Sequence, residues 1–379
     1  MKTLYVHIGT MKTGTTAVQG FLWDNRDVLE KYGFGYPDLH WLSQTVTRRR
    51  NGRFLVEPLE NSQLEQEVFR KGMDYVEKLF ETYENIVLSN EGIWGATYNR
   101  RASLWQELMQ EGEKHGFQVK VIVYLRRQDE YLSSCWNQMI KMNTKEGVRE
   151  WDEYLENIPK GRQLEYDKKL DSISEVIGKE NVIVRRYEFK EFYQGSIYAD
   201  FLQCMGLTMT DEYQVIQETR NGKLAGNMVE IKRIINTMPN IDENQNFYLR
   251  DVLLKISEDK RVEQHYSMLS KREAEEFLKK YEEGNSYVAR EYLHEDAPLF
   301  DDTIKESIKW EKENENVTDD VIRYITGLGM QLKSENSQLK SENIQLQKRV
   351  DRIEQKLHDL RHPIQKIERK LSSNKENKK

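Results

Sequence analysis

The stretch Leu4-Tyr5-Val6-His7-Ile8-Gly9-Thr10-Met11-Lys12-Thr13-Gly14-Thr15-Thr16 decides how the chain folds. Leu4 to Ile8 is an apolar run of strand length, and a helix-like pattern follows over residues 13 to 31, so Gly9 to Thr16 is a strand-to-loop-to-helix connection. Glycines let such a loop turn tightly and aim backbone N–H groups at an anion on the N-terminus of the next helix, whose dipole favours negative charge. A nucleotide-kinase loop has lysine directly after its second glycine, where it reaches the β- and γ-phosphates. Here Thr15 holds that position and Lys12 lies two residues before Gly14. A lysine inside the loop meets the bridging or leaving oxygen of a bound phosphate derivative.

A second signal lies about 110 residues on. Phe117 to Leu125 alternates and then runs apolar like a buried strand, and Arg126 to Ser134 follows it. An arginine at a strand end and a serine two turns into the next helix can converge on one phosphate, the arginine through charge-assisted bonds and the serine through its hydroxyl. Arg126 and Ser134 are the pair expected to do so; a one-residue shift in register would exchange them for Arg127 and Ser133. Between the two signals, Asn85 to Trp94 reads as a short apolar strand ending in a carboxylate, Glu91, beside Gly92. Open α/β sheets place their sites at the carboxyl ends of strands, which makes Glu91 the candidate base for an acceptor proton. His7 and His115 compete for that role, one within the first strand and one in the loop before another. Trp94 and Tyr98 offer either an apolar shelf for a sugar ring or ordinary packing.

The Lys-x-Gly-Thr-Thr pattern from Lys12 to Thr16 resembles the 5′-phosphosulfate loop of sulfotransferases that use 3′-phosphoadenosine 5′-phosphosulfate (PAPS), and Arg126 with Ser134 resembles the 3′-phosphate motif of that family. The resemblance is to the bacterial carbohydrate-sulfotransferase-like branch, and it spans roughly residues 2 to 302. It implies that Lys12 stabilises the departing phosphate, that Thr13, Gly14, Thr15 and Thr16 complete the cradle, and that Glu91 is the catalytic glutamate. Tyr187-Glu188, after the strand-like stretch from Asn181, is similar to the family's Tyr-Glu-Asp element, with phenylalanine in place of aspartate. By that likeness Tyr187 lies near the adenine. The late Arg-Lys-Gly-x-x-Gly loop of the human cytosolic branch has no counterpart, and Arg220 to Lys223 or Glu283 to Ser286 are possible substitutes. The expected reaction is transfer of a sulfuryl group from PAPS to a hydroxyl or amino group of a carbohydrate or glycolipid, with no metal. The alternatives are an ATP- or GTP-dependent kinase, or a catalytically inactive sulfotransferase-like scaffold.

Strands alternating with helical patterns at 13–31, 60–83, 100–114 and 128–142 predict an α/β fold, a P-loop-type parallel sheet flanked by helices. Residues 166 to 177, with Gly178 as C-cap, make a further helix. Beyond Gln217 the charged sequence predicts a helical lid region over the active-site side or packed on the sheet. Residues 37 to 57 make a second candidate rim or a solvated loop.

From Leu332 the pattern changes. Leu332, Leu339, Leu346, Ile353, Leu360 and Ile367 recur every seven residues, with Asn336, Asn343, Val350, Leu357, Ile364 and Leu371 four residues after each. This is a coiled-coil heptad, and asparagine at two successive a positions favours a parallel two-stranded pairing, hence a homodimer. The expected organisation is a sulfotransferase-like domain over 1–316, a linker over 317–329 broken by Gly327 and Gly329, a coiled coil over 330–371 kinked or ended by Pro363, and a disordered tail over 372–379.

Composition narrows the remaining classes. With 58 Lys and Arg against 64 Asp and Glu, the net charge of −6 argues against a general nucleic-acid binder, and the acidic stretch before the heptads is not a basic region. Two cysteines, Cys135 and Cys204, provide neither a disulfide framework nor metal-ligand spacing. No apolar run approaches the roughly 20 residues of a transmembrane helix, and the first strand begins without a signal peptide, so a soluble, cytoplasmic protein is expected.

Overall fold

The computed structural model describes residues 1–56, 63–95, 103–145, 147–157, 164–215, 222–258, 266–301, 303–304, 308–314 and 316–376. Five parallel strands form the central sheet: β1 (Lys2–His7), β2 (Phe34–Gly35), β3 (Asn85–Ser89), β4 (Phe117–Leu125) and β5 (Val182–Arg186), in the order β2-β3-β1-β4-β5. Alternation along the strands separates two cores. Leu4, Val6 and Ile8 of the first segment, with Val119, Val121, Val123 and Leu125 of β4, face one side. Tyr5, Ile122 and Tyr124 face the other.

Helices cover both faces, as a buried parallel sheet requires. The chain supplies α1 (Thr15–Asp24), α2 (Arg26–Lys31), α3 (Gln63–Leu79), α4 (Ser103–His115), α5 (Gln128–Lys141), α6 (Trp151–Glu156), α7 (Tyr166–Ile177) and α8 (Ile197–Cys204). After these come α9 (Asn227–Asn236), α10 (Glu243–Ser257), α11 (Lys271–Leu278), α12 (Glu282–Leu293) and α13 (Val317–Glu376). Buried residues of α3, α4, α7 and α12 fill the first core. Those of α1, α2 and α8 fill the second. The helix expected over 13–31 is two helices, because the Asn25 side chain donates to Phe21 O at 2.9 Å and to Gln214 O at 2.8 Å and turns the chain there. Gly178 ends α7 at a φ of 85°, a positive value that glycine adopts without strain.

The helical region after residue 222 meets the sheet through α12 and the segment after it, with Val288, Ala289, Leu299 and Phe300 in the first core, and otherwise packs away from it. Its buried side chains, Leu224, Met228, Val229, Val252, Leu253, Ala274 and Phe277 among them, pack with Tyr131, Leu132, Cys135, Trp136 and Ile140 of α5 as a third core. A two-stranded parallel pair, β6 (Tyr266–Ser267) with β7 (Ile308–Lys309), borders it.

The C-terminal helix corrects two expected boundaries. The segment 317–329 is not a broken linker: α13 runs unbroken from Val317, and Tyr324 is buried in the third core. Gly327 suits this packing, since a Cβ there would stand 3.0 Å from Val252 Cγ1 on α10, close enough that the valine would have to give by a few tenths of an ångström. Pro363 does not end the helix, which continues to Glu376 and takes in residues 372–376 of the expected tail; on an exposed helix the carbonyl left unpaired by proline is satisfied by water. The heptad residues whose side chains are described, Leu332 to Leu357 and Ile367, stand exposed along it, Leu339 at 56% and Ile353 at 57%. No helix among the described residues is long and apolar enough to cross a membrane.

Candidate functional site

The loop between β1 and α1 is wound back over the carboxyl ends of the central strands. Thr10 N donates to Tyr124 O at 2.9 Å and Tyr124 N to Gly9 O at 2.7 Å, which ties the loop to β4. Thr13 Oγ1 donates to Thr10 O at 2.6 Å and closes the turn from within. Lys12 and Gly14 both take positive φ, 64° and 73°, and Gly14 caps α1 in the left-handed conformation. Such a winding turns successive N–H groups to one side, and the unsatisfied N–H groups of the first turn of α1 add to the same concavity. Thr15 is buried at the start of α1 and Thr16 is exposed beside it.

Strand order brings the other expected residues to this loop. Arg126, at the end of β4, donates from Nη1 to Lys12 O at 3.2 Å and from Nε to Glu130 at 3.1 Å. Its guanidinium lies 5.6 Å from the ring centroid of Tyr187, which follows β5. Tyr187 packs on Gly14, where a Cβ would stand 3.1 Å from its ring and 2.5 Å from Ile197 Cδ1, so only glycine fits. Ser134 sits half-buried on α5, two turns beyond Arg126. Arg127 is committed elsewhere: Nε and Nη2 bind the Asp129 carboxylate at 2.8 and 3.0 Å, and Nη1 donates to Asp301 O. Of the two arginines, Arg126 is the one bonded to the loop.

Lys12 points across the loop to α5, where Nζ donates to Gln138 Oε1 at 3.2 Å. Burial lowers its pKa; Cys135 and Glu91 act the other way, and Arg126 adds to the lowering. Lys223 joins the same neighbourhood. Desolvation of its ammonium lowers its pKa, with Arg126 and Lys12 adding repulsion and Glu130 opposing it. The strap is held along α5 by Asn137 Nδ2 to Leu224 O at 2.7 Å and Lys141 Nζ to Gly222 O at 3.3 Å. Of the two substitutes considered for the missing phosphate loop, the one ending at Lys223 reaches the site, although Arg220 and Asn221 lie outside the described residues. Asn285 does not reach it: α12 holds it in a reciprocal carboxamide pair with Gln128 at 2.7 and 3.1 Å.

Glu91 stands directly beside the loop, since a Cβ on Gly9 would be 3.2 Å from its Cα and Cβ. Gln19 Nε2 donates to Glu91 Oε2 at 3.0 Å, and Arg50 Nη2 pairs with Oε1 at 2.9 Å. Each carboxylate oxygen keeps a lone pair for a further partner. The segment 37–56, read as either a rim or a solvated loop, delivers Arg50 because Asn51 is fully buried against the edge of β3. Ser89 N donates to Asn51 Oδ1 at 2.9 Å and Asn51 Nδ2 donates to Val87 O at 3.0 Å, which satisfies an edge that two-residue β2 leaves open. Beside it Trp23, His40, Arg48 and Arg49 border an open groove of about 670 Å³.

The competing histidines serve structure. His7 is fully buried edge-on against Phe201 and Tyr124, bonds Ser89 Oγ through Nδ1 at 2.8 Å, and is driven by burial to a pKa of about 3. His115 precedes β4, at the opposite end of the sheet, and pairs with Glu77 at 3.0 Å and Glu111 at 3.3 Å. Trp94 is no shelf: it is 1% exposed, in the first core, edge-on to Tyr166. Tyr98 lies outside the described residues. Gln19, Arg50 and Gln138 had no signal in the sequence, since a glutamine within a helix or an arginine in a long loop has many ordinary roles.

No family model matches the chain. It is 26% identical over 178 residues to an uncharacterized protein of Archaeoglobus fulgidus, and the match takes in 46% of this chain and 46% of that protein. The chain thus spans under half the length of this curated relative.

Proposed function

We propose that the chain is a PAPS-dependent sulfotransferase acting on a hydroxyl or amino group of a carbohydrate or glycolipid. The observation that carries this reading is the convergence of Lys12 and Arg126, from two distant segments, on one glycine-wound loop with Glu91 beside it. Crowding two cations in a half-buried site is costly unless an anionic ligand occupies it. A nucleotide carrying both a 3′-phosphate and a 5′-phosphosulfate supplies that negative charge. A kinase loop would need its lysine where buried Thr15 stands.

In this reading PAPS supplies an electrophilic sulfur on a phosphate leaving group. Arg126, Ser134 and Lys223 hold the 3′-phosphate, Tyr187 borders the adenine, and the N–H groups of residues 13 to 16 with the Thr15 and Thr16 hydroxyls hold the 5′ end. Glu91, fixed by Gln19 and Arg50, takes the acceptor proton as the acceptor oxygen or nitrogen bonds to sulfur. Lys12 meets the electron pair left on the phosphate oxygen when the sulfur–oxygen bond breaks. The exposed heptads of α13 pair with those of a second copy, which gives a parallel homodimer.

Thermal-shift titration with adenosine 3′,5′-bisphosphate, AMP and ATP tests the assignment. Selective stabilisation by the bisphosphate is expected, and selective stabilisation by ATP would return the chain to the kinase reading.

A further inference from the structure

One face of α5 carries Ser134, Gln138 and Lys141, spaced four and three residues apart and therefore in line. Gln138 accepts from Lys12, so Lys141 lies one turn farther along, away from Ser134. Its side chain is 5% exposed, and its one bond, to Gly222 O at 3.3 Å, is to a neutral carbonyl. Two more cations stand behind it. Lys232 of α9 is fully buried and bonds Asn236. The Arg250 guanidinium of α10 stacks 4.2 Å from the Phe247 ring centroid and touches Met142 Sδ at 3.8 Å.

The opposing charge is thin. Arg250 Nη2 donates to exposed Asp251 at 3.2 Å, while Arg250 Nε is buried without a partner among the described residues. Glu258 Oε1 approaches Gly222 from the exposed end of α10, where a Cβ would stand 3.2 Å from it. Among the described residues no carboxylate pairs with Lys141 or Lys232. Burial brings Lys141 to about 8, with Lys12 and Arg250 contributing, and Lys232 to about 8, with Arg250 contributing. The C-terminal dipole of α5 accounts for roughly half a charge, which offsets only part of this.

We propose that Lys141 and Arg250 form a subsite for an oxyanion on the acceptor, so that the acceptor is an acidic glycan or glycolipid carrying a carboxylate, sulfate ester or phosphate ester. The proposal rests on the donor reading above. If Ser134 marks the 3′-phosphate and Lys12 the leaving phosphate, Lys141, about 10 Å along the helix from Ser134, lies past the sulfuryl group on the acceptor side. Lys232 adds positive potential from behind without touching the ligand.

The full chain, saturated with adenosine 3′,5′-bisphosphate, is titrated with inorganic sulfate, methyl phosphate and acetate, and then with neutral chitotetraose and with tetrasaccharides of hyaluronan and chondroitin sulfate. At least one small anion is expected to raise the melting temperature further, and the acidic tetrasaccharide bearing the same group to bind at least ten-fold tighter than chitotetraose. Arg250→Gln, at a side chain that does not hold the strap, should abolish both effects and leave bisphosphate affinity within two-fold, and Lys141→Gln should abolish both effects as well. Lys141→Arg, which keeps the charge, should retain them and shows that loss in Lys141→Gln is not misfolding. Absence of any anion response in the wild type overturns the subsite. Loss of bisphosphate affinity in Arg250→Gln, to the extent seen in Arg126→Ala, would reassign the cluster to the donor. A wild type that fails to bind bisphosphate yet responds to the anions sinks the donor reading and leaves an anion site of other purpose.

Discussion

Gln19 and Glu91, 72 residues apart in the chain, meet side chain to side chain at 3.0 Å, and the same Gln19 amide reaches Ser89 Oγ at 3.2 Å. Ser89 is bonded in turn to His7 Nδ1, so a chain of hydrogen bonds runs from the buried centre of the sheet to the carboxylate beside the loop. Glu91→Gln keeps the size of the side chain and cannot take a proton. Transfer should fall by something like 10²–10⁴-fold with bisphosphate affinity unchanged. Gln19→Leu leaves the carboxylate in place and loses its orientation, so a smaller loss of about ten-fold in turnover is expected. Steady-state kinetics beside calorimetric binding checks both, and full activity in Glu91→Gln removes the base role.

Lys12→Ala should lower turnover by roughly 2.7–4 kcal/mol in activation free energy, the range typical of a lost charge-stabilising donor, and weaken the bisphosphate much less. The comparison is single-turnover transfer against equilibrium binding. Equal losses in the two would make Lys12 a ground-state ligand only.

Arg126→Ala and Ser134→Ala should weaken nucleotides that carry a 3′-phosphate and spare adenosine 5′-phosphosulfate, which lacks it. Arg126 also holds the Lys12 carbonyl, so some loss toward both ligands is expected from that variant. Ser134→Ala is the cleaner measurement. Identical losses for the two ligands in Ser134→Ala would contradict the assignment.

His7 predicts acid sensitivity. Burial holds its folded pKa at about 3, against roughly 6.5 in an unfolded chain. Between these values the unfolded state binds more protons, so stability falls as pH drops through the interval, by at most about 1.36 kcal/mol per pH unit from this group. Urea unfolding of wild type and His7→Gln at pH 7, 6, 5 and 4 should show a shallower slope in the variant. Parallel slopes would place the acid sensitivity elsewhere.

Truncation separates the two roles of α13. Its first turns belong to the globular part, through buried Tyr324 and the Gly327–Val252 approach, and Lys255 Nζ reaches Gln331 Oε1 at 3.1 Å. Deleting residues 336–379 should therefore give a folded, active monomer by light scattering. A deletion starting before Tyr324 should unfold the third core. A dimer that persists after the first deletion would move the interface out of the heptads.

The sequence alone determined what depends on local pattern. Alternation marked β4 from Phe117 to Leu125 residue for residue, the 3.6-residue period and Gly178 bounded α7, and the spacing of Gly9, Lys12 and Gly14 located the loop at the end of β1. These signals are legible because each is written within a few turns of contiguous chain. Tertiary structure decided what distant segments do to one another. Parallel pairing of β1 with both β3 and β4 sets Glu91 and Arg126 on either side of Lys12, and Asn51, pinned to the edge of β3, carries Arg50 to Glu91. Gly327 read as a break in a helix because glycine has low helix propensity; only the approach of Val252 shows that it suits a close contact between two helices. Lys141 and Arg250 look like ordinary surface charges in sequence, since burial depends on which side chains surround a residue and not on the residue itself.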